Sequence, residues 1–215
     1  MQVDRMPQPM QPRAARTREV LLRAAAEVFA EVGYTRASLV KIIERAGLTT
    51  GAVYFHFKSK EGLARAVIHE QAADVEFPQG EPGLQHLIDI TTHLAVELQQ
   101  NTLLRAGVRL AVEQNEVDLQ EYEIYRWWAE RFKEELAAAR LKGQLLPSVD
   151  ETAFASLLVA AYTGTQIMSQ LATQRADLPG RILSLWQCLL PALAPANAIA
   201  QLTIPVPGSA GQGGA

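Results

Sequence analysis

Thr49, Thr50, Gly51, Ala52, Tyr54 and His56 lie together in the run AGLTTGAVYFHF (46–57). Two aliphatic hydroxyls, a phenol and an imidazole can hydrogen-bond flat polar edges and anionic oxygens. Gly51 and Ala52 are too small to hold a large partner away. The same set is poorly equipped for catalysis. His56 has no second metal ligand one helical turn on. The remaining reactive residue types stand apart. Cys188, the one cysteine, sits in an apolar stretch beside Trp186 and Leu189 and reads as a small buried hydrophobe rather than a nucleophile. A single cysteine also excludes a disulfide framework and a Cys-rich zinc site. His69, His86 and His93 show no metal spacing, and no glycine loop suited to phosphate occurs. Catalysis, metal and cofactor are therefore not expected.

Such polar groups need rigid elements to aim them. The periodicity is helical almost throughout. The first helix is expected over Ala14–Val32, with Leu21, Ala24, Ala25, Val28, Phe29 and Val32 in one stripe. Gly33 ends it, and Tyr34 can fold back as the accompanying hydrophobic contact. Ser38 caps a second helix that turns Leu39, Ile42, Ile43 and Ala46 inward and stops at Gly47. Thr49 caps a short third helix over Thr50–Phe55. Ser59 caps a fourth, with Glu61 at the positive end of its dipole, running to about Glu76. Pro78, Gly80, Pro82 and Gly83 then break the pattern. Further helices are expected near 83–100, 102–116, 119–142, 150–174 and 179–194. The fold class is all-α. The expected domains are a disordered arm over 1–12, a helix-turn-helix unit over 13–60, a second helical domain over 61–196 and a flexible tail over 197–215.

Charge divides along the same line. The net of −3 and calculated pI of 5.8 look unremarkable. Residues 1–70, however, carry 11 Lys and Arg against 7 Asp and Glu, while 71–215 carry 9 against 16. A basic unit is joined to an acidic one, which suggests two tasks in one chain. No apolar signal core and no run long enough to span a bilayer is present, so the expected place is a reducing cytoplasm without membrane contact.

Helix, glycine turn and short helix over 38–57 is helix-turn-helix spacing. The short helix is unstable alone. Val53, and Phe55 or Phe57, must anchor it, leaving Thr49, Thr50, Gly51, Ala52, Tyr54 and His56 outward. There the small residues let the backbone approach base edges of duplex DNA, the Thr groups meet bases, and Tyr54 and His56 can donate to phosphate. Arg13, Arg16, Arg18, Lys41, Arg45, Lys58 and Lys60 surround it as phosphate grips, with Thr17 and Ser38 as neutral ones.

Thr17–Leu63 also resembles the TetR family of bacterial transcriptional regulators. The resemblance rests on the A-A-x-x-F-A-x-x-G-Y segment (Ala25–Tyr34), the run Ala46–Phe57 and K-S-K-E-G-L (Lys58–Leu63). Weaker likenesses in LLRAGVRLA (Leu103–Ala111), at Trp127 and in L-V-x-x-x-x-G-T (Leu158–Thr165) point to that family's γ-butyrolactone receptor group. The resemblance implies a homodimeric repressor of a pseudo-palindromic operator, released by a γ-butyrolactone, butenolide or furan signalling molecule that controls antibiotic biosynthesis. A regulator answering an unrelated hydrophobic compound, and a ligand-blind pseudo-receptor, are the alternatives. Many relatives carry Lys where this chain has Thr50, which sets its reader apart there.

The acidic half has its own signals. Leu157, Leu158, Ala161 and Thr165 in one helix, and Leu183, Trp186, Leu190 and Leu193 in the next, leave these helices apolar on more than one side. Such helices need two burial surfaces, one in the domain core and one on a second subunit. A sensor also needs a mostly apolar cavity with few polar groups. Gln71, Leu110, Trp127, Tyr162 and Thr165 are the candidate ligand contacts, and the resemblance singles out Gln71, Trp127 and Thr165. Adjacent Trp127 and Trp128 must face different surroundings.

Overall fold

The computed structural model describes residues 12–113 and 122–204, and every regular element among them is helical. In chain order these are α1 (Pro12–Arg36), α2 (Leu39–Ala46), α3 (Thr50–His56), α4 (Lys60–His69), α5 (Leu84–Gln100), α6 (Thr102–Glu113), α7 (Glu123–Leu141), α8 (Glu151–Thr173), α9 (Leu178–Leu193) and α10 (Ala196–Ile199). The expected arm, apart from Pro12, lies outside the described residues, as do 114–121 and the tail beyond 204. Among the described residues no helix is long and apolar enough to cross a membrane, and no group of three or more His, Cys, Asp or Glu could hold a metal ion.

The described residues form two compact units, 12–73 with 102–113 and 74–101 with 122–204. This division differs from a cut at residue 60. Helices α4 and α6 pack with α1 in the first unit. Its core joins Leu21, Ala25 and Phe29 of α1 to Ile42, Val53, Leu63, Val67, Ile68 and Leu110. Gly33 is the non-helical point in α1, at φ 74° and ψ 177°. Beyond it Tyr34 stacks back on Phe29, with ring centroids 6.0 Å apart. α6 closes over this break. Arg109 Nη1 donates to the Ala30 carbonyl at 2.9 Å, and the Tyr34 N–H donates to Glu113 Oε2 at 2.9 Å. A Cβ on residue 33 would lie 2.7 Å from Arg109 Nη2, a side-chain tip that can give way; it is the positive φ that requires glycine.

α4 is shorter than its pattern predicts, ending at His69 rather than near Glu76. Gln71 Nε2 donates to the Ile68 carbonyl at 2.9 Å and the Ala73 N–H turns back to the Glu70 carbonyl. Both carbonyls are thereby withdrawn from the helical ladder that would have continued. Gln71 occupies the room that Gly107 of α6 leaves. A Cβ on residue 107 would stand 2.3 Å from Gln71 Cβ and 3.0 Å from the Val67 carbonyl oxygen. Gly107→Ala therefore has to push α6 off α4. We expect it to lower unfolding stability by about 2 kcal/mol, despite alanine's better helix propensity. A urea titration that shows the variant as stable as the parent would refute this packing.

The second unit is built on α5, whose Leu84, Leu87, Ile88 and Ile90 are fully buried, with Leu136 of α7 and Leu178, Ile182 and Trp186 of α9. Asp177 ties α8 to α9. Ser169 Oγ and Thr173 Oγ1 donate to its Oδ1, and Arg181 Nε to its Oδ2, which holds its carboxyl at about 2. Residues 197–204, expected as part of a tail, are ordered. Ala198 of α10 is buried and the Thr203 N–H donates to Gln85 Oε1 at 2.8 Å. Cys188, expected to be buried, is exposed. The buried stripe of α9 runs through Ile182, Leu183, Trp186, Leu190 and Leu193, and residue 188 projects about 200° around the helix from Trp186.

Candidate nucleic-acid interface

The short third helix depends on the turn that precedes it. Gly47 adopts φ 63° and ψ 32°, and its N–H returns to the Glu44 carbonyl while that of Leu48 returns to Ile43. This left-handed stop lets α3 leave α2 at a steep angle. Ser38 caps α2 as expected, accepting from the Lys41 N–H at 3.2 Å, and Ser59 caps α4 through Gly62 at 3.1 Å. Val53 is fully buried and Phe57 nearly so. Between the two anchors left open by the sequence, the structure selects Phe57. It lies one turn beyond Val53, on the same stripe.

What remains outward is a narrow band. Thr49, Thr50, Gly51 and Tyr54 are exposed, and Ala52 and His56 are half-buried. The Thr49 hydroxyl makes no cap bond, so it is not committed to holding the helix end. Ser38 uses its oxygen as an acceptor, which leaves its hydroxyl proton available. Thr17 does the reverse, donating to the Arg13 carbonyl at 2.9 Å, which commits its proton to its own helix. Burial, then the nearby Arg18 and Lys58 charges, lower the pKa of His56. In its neutral form it has one ring N–H to offer.

The seven basic residues sort into two groups. Arg13, Arg16, Lys41 and Lys58 are exposed. Arg45 is gripped by Glu27 and Glu31 of α1, at 3.0 and 2.9 Å. Arg18 is paired with Glu70, and its guanidinium lies 5.2 Å from the Phe57 ring centroid. Lys60 stands over the Tyr34 ring at 4.2 Å, and burial lowers its pKa. These last three are each tied to another part of the reader, although Arg45 stays exposed like the first four. Sequence reasoning grouped all seven because it could not see which acids lie opposite. A groove of about 450 Å³ between α1 and α2 carries Glu31 and Glu44 beside Lys41 and Arg45, a charged lining unlike a small-molecule cavity.

The five candidate ligand contacts fall in both units. In the first, Gln71 is 1% exposed and its Oε1 accepts no hydrogen bond among the described residues, while Leu110 is fully buried. In the second, Trp127 is 47% exposed. Its neighbour Trp128 is the buried one of the pair, set against Phe77 at 6.3 Å and Phe132 at 5.9 Å. Tyr162 donates to the Thr91 carbonyl at 3.1 Å, and burial raises its pKa. Thr165 is half-buried on the same helix. Trp128 was missed because adjacent tryptophans give no periodic preference. Its spacing to Phe132, one turn on, is the signal that could have found it. Arg105 and Arg109 both make contacts inside the first unit, Arg105 to Thr102 and Arg109 to Glu113.

Comparisons with known proteins agree with this architecture. Residues 21–67 match the model for bacterial regulatory proteins of the tetR family, and 82–195 match that for a tetracyclin repressor-like C-terminal domain. The A-factor receptor protein of Streptomyces griseus is 38% identical over 192 residues, 89% of this chain and 69% of that protein. The structure of full-length TylP, a TetR regulator from Streptomyces fradiae, superposes with a TM-score of 0.80 at 36% identity, covering 90% of this chain and 93% of that one. A gamma-butyrolactone receptor described as ArpA-like superposes at 0.65 with 29% identity, over 88% and 93%. The recognition-type helix, its basic surround and both matched domains lead to one conclusion: this chain belongs to the tetR family of bacterial regulatory proteins.

Proposed function

We propose that the protein is a repressor that binds a pseudo-palindromic operator as a homodimer and lets go when a small lactone-type signal binds. One observation carries the DNA half. The outward face of α3 is small, polar and aromatic, and Arg13, Arg16, Lys41 and Lys58 stand exposed around it. Small groups admit base edges, and exposed cations grip phosphate. Reading operator DNA also places the protein in the cytoplasm.

A palindrome needs two readers. Leu157, Met168 and Leu171 are exposed on α8, with Ala160 and Gly164 between them at helical spacing. This unpaired apolar stripe, beside the exposed face of α9, supports pairing with a second copy. Two-fold pairing would set the α3 helices roughly 34–36 Å apart.

The likeness to an A-factor receptor and to a gamma-butyrolactone receptor supports a lactone, butenolide or furan effector and a place in antibiotic control. Gln71 and Leu110 in the first unit, and Trp127, Tyr162 and Thr165 in the second, are the residues to test, one at a time. Gln71 Oε1 is suited to accept from a ligand hydroxyl, since its own amide nitrogen is engaged with Ile68. Release works by differential affinity. α4 follows α3 after a short turn, so an effector that prefers a displaced α4 moves α3 off its groove, with a coupling of about 1–3 kcal/mol. A gel shift on the DNA upstream of the protein's own gene, titrated with synthetic γ-butyrolactones, tests this. We expect the retarded band to disappear with ligand, and Trp127→Ala to raise the ligand concentration needed about tenfold while leaving ligand-free binding intact. A band indifferent to every lactone, butenolide and furan would sink the effector assignment. An unchanged ligand response in Trp127→Ala would remove that residue.

A further inference from the structure

We infer that Phe55 reads sequence: its exposed ring takes the 5-methyl group of a thymine in the operator's major groove. This rests on the operator-binding reading above and names the base feature that α3 selects. Phe55 is 68% exposed on the same short helix whose Val53 and Phe57 are buried. Thr50, Gly51, Tyr54 and Phe55 form one solvent-facing stripe, with Phe55 a full turn beyond Gly51. Among the described residues the Phe55 ring meets only its neighbour His56 edge-on, and nothing packs closely on Gly51. A Cβ on residue 51 would meet only Thr49 Oγ1, at 3.8 Å. Glycine is a weaker helix former than alanine, and no close neighbour requires it here. The pair makes sense against an external surface, with a bare backbone at Gly51 for close approach and a projecting ring one turn on.

The chemistry of that surface follows from its surroundings. Lys58 Nζ bonds the Phe55 carbonyl at 3.3 Å, His56 meets the ring edge-on at 4.8 Å, and Lys41, Arg13 and Arg16 are exposed in the same unit. A polyanion is the partner these charges fit. Among the groups a duplex displays in its major groove, the thymine methyl is the apolar one. An aromatic ring has no hydrogen bond to give a base edge, and burying a methyl against it is the favourable contact open to it.

The experiment deletes that methyl alone. A duplex recovered by wild-type protein from a random pool is resynthesised with each thymine replaced in turn by deoxyuridine, which keeps the pairing edge. Wild type, Phe55→Ala and Phe55→Leu are titrated against the set. We expect one thymine per half-site at which deoxyuridine weakens wild type about fourfold. Phe55→Ala should be indifferent at that position and Phe55→Leu should keep part of the effect, all three having the same helical content and dimer mass. Wild type indifferent to deoxyuridine everywhere overturns the proposal, as does Phe55→Ala losing as much as wild type at the same thymine. A uniform loss for Phe55→Ala on every duplex would put the ring against the sugar–phosphate backbone instead, and also overturns it. Wild type that selects no sequence overturns the operator reading, and this proposal with it.

Discussion

Raising salt from about 50 to 200 mM should weaken operator binding by roughly ten-thousandfold. Each phosphate neutralised releases condensed counterions, and affinity falls with a slope of about −0.9 per contact on a log–log plot. Arg13, Arg16, Lys41 and Lys58 are exposed on the reader, and unlike Arg45 none of them is gripped by an acid among the described residues. Two readers then release about eight counterions, a slope near −7. The sharper form of the prediction compares two arginine or lysine neighbours on α2. Lys41→Gln should reduce the slope by about 2, one contact from each reader. Arg45→Gln should leave the slope nearly unchanged, because Arg45 is held by Glu27 and Glu31. Its loss acts on how α2 is braced. Fluorescence anisotropy on a labelled operator across a salt series measures both. Equal slopes for the two variants would mean that the ion pairs to α1 open on DNA.

Trp186→Ala should cost about 4 kcal/mol of unfolding free energy, the largest single-residue loss expected in the second unit. Trp186 is fully buried, and its Nε1–H donates to Thr91 Oγ1 at 2.8 Å. That oxygen is itself tied to the Leu87 and Ile88 carbonyls of α5. Truncation thus opens a cavity and removes the bond that joins α9 to the middle of α5. Trp186→Phe separates these effects, since it keeps most of the ring volume but not the N–H; about 1–2 kcal/mol is expected. Urea unfolding at one fixed protein concentration, which holds any pairing of chains constant, reads both. A loss below about 2 kcal/mol for the alanine variant would show that the neighbouring helices collapse into the space.

The structure bears on residues whose neighbours in sequence look equivalent. Phe55 and Phe57 are both apolar and flank one position of α3, yet one is exposed and the other buried. Periodicity from Val53 could have separated them. It could not have separated Arg45 from Lys41, because that depends on Glu27 and Glu31 arriving from α1. The early end of α4 was equally invisible. Its pattern continues past His69, but there the Gln71 amide turns onto the Ile68 carbonyl, in the room that Gly107 of α6 leaves.

The residues in order were enough to establish an all-helical chain, the glycine turn between α2 and α3, the caps at Ser38 and Ser59, and the chemistry of the outward band at 49–56. These are local properties: hydrogen-bonding groups, allowed backbone angles and a 3.6-residue period act over a few positions and are written in adjacent residues. Which cations face outward, which tryptophan is buried, where α4 ends and that α6 packs with the reader required the fold. Ion pairs, burial and close packing join residues tens of positions apart. Their strength depends on what stands opposite, and that is decided only when the helices meet.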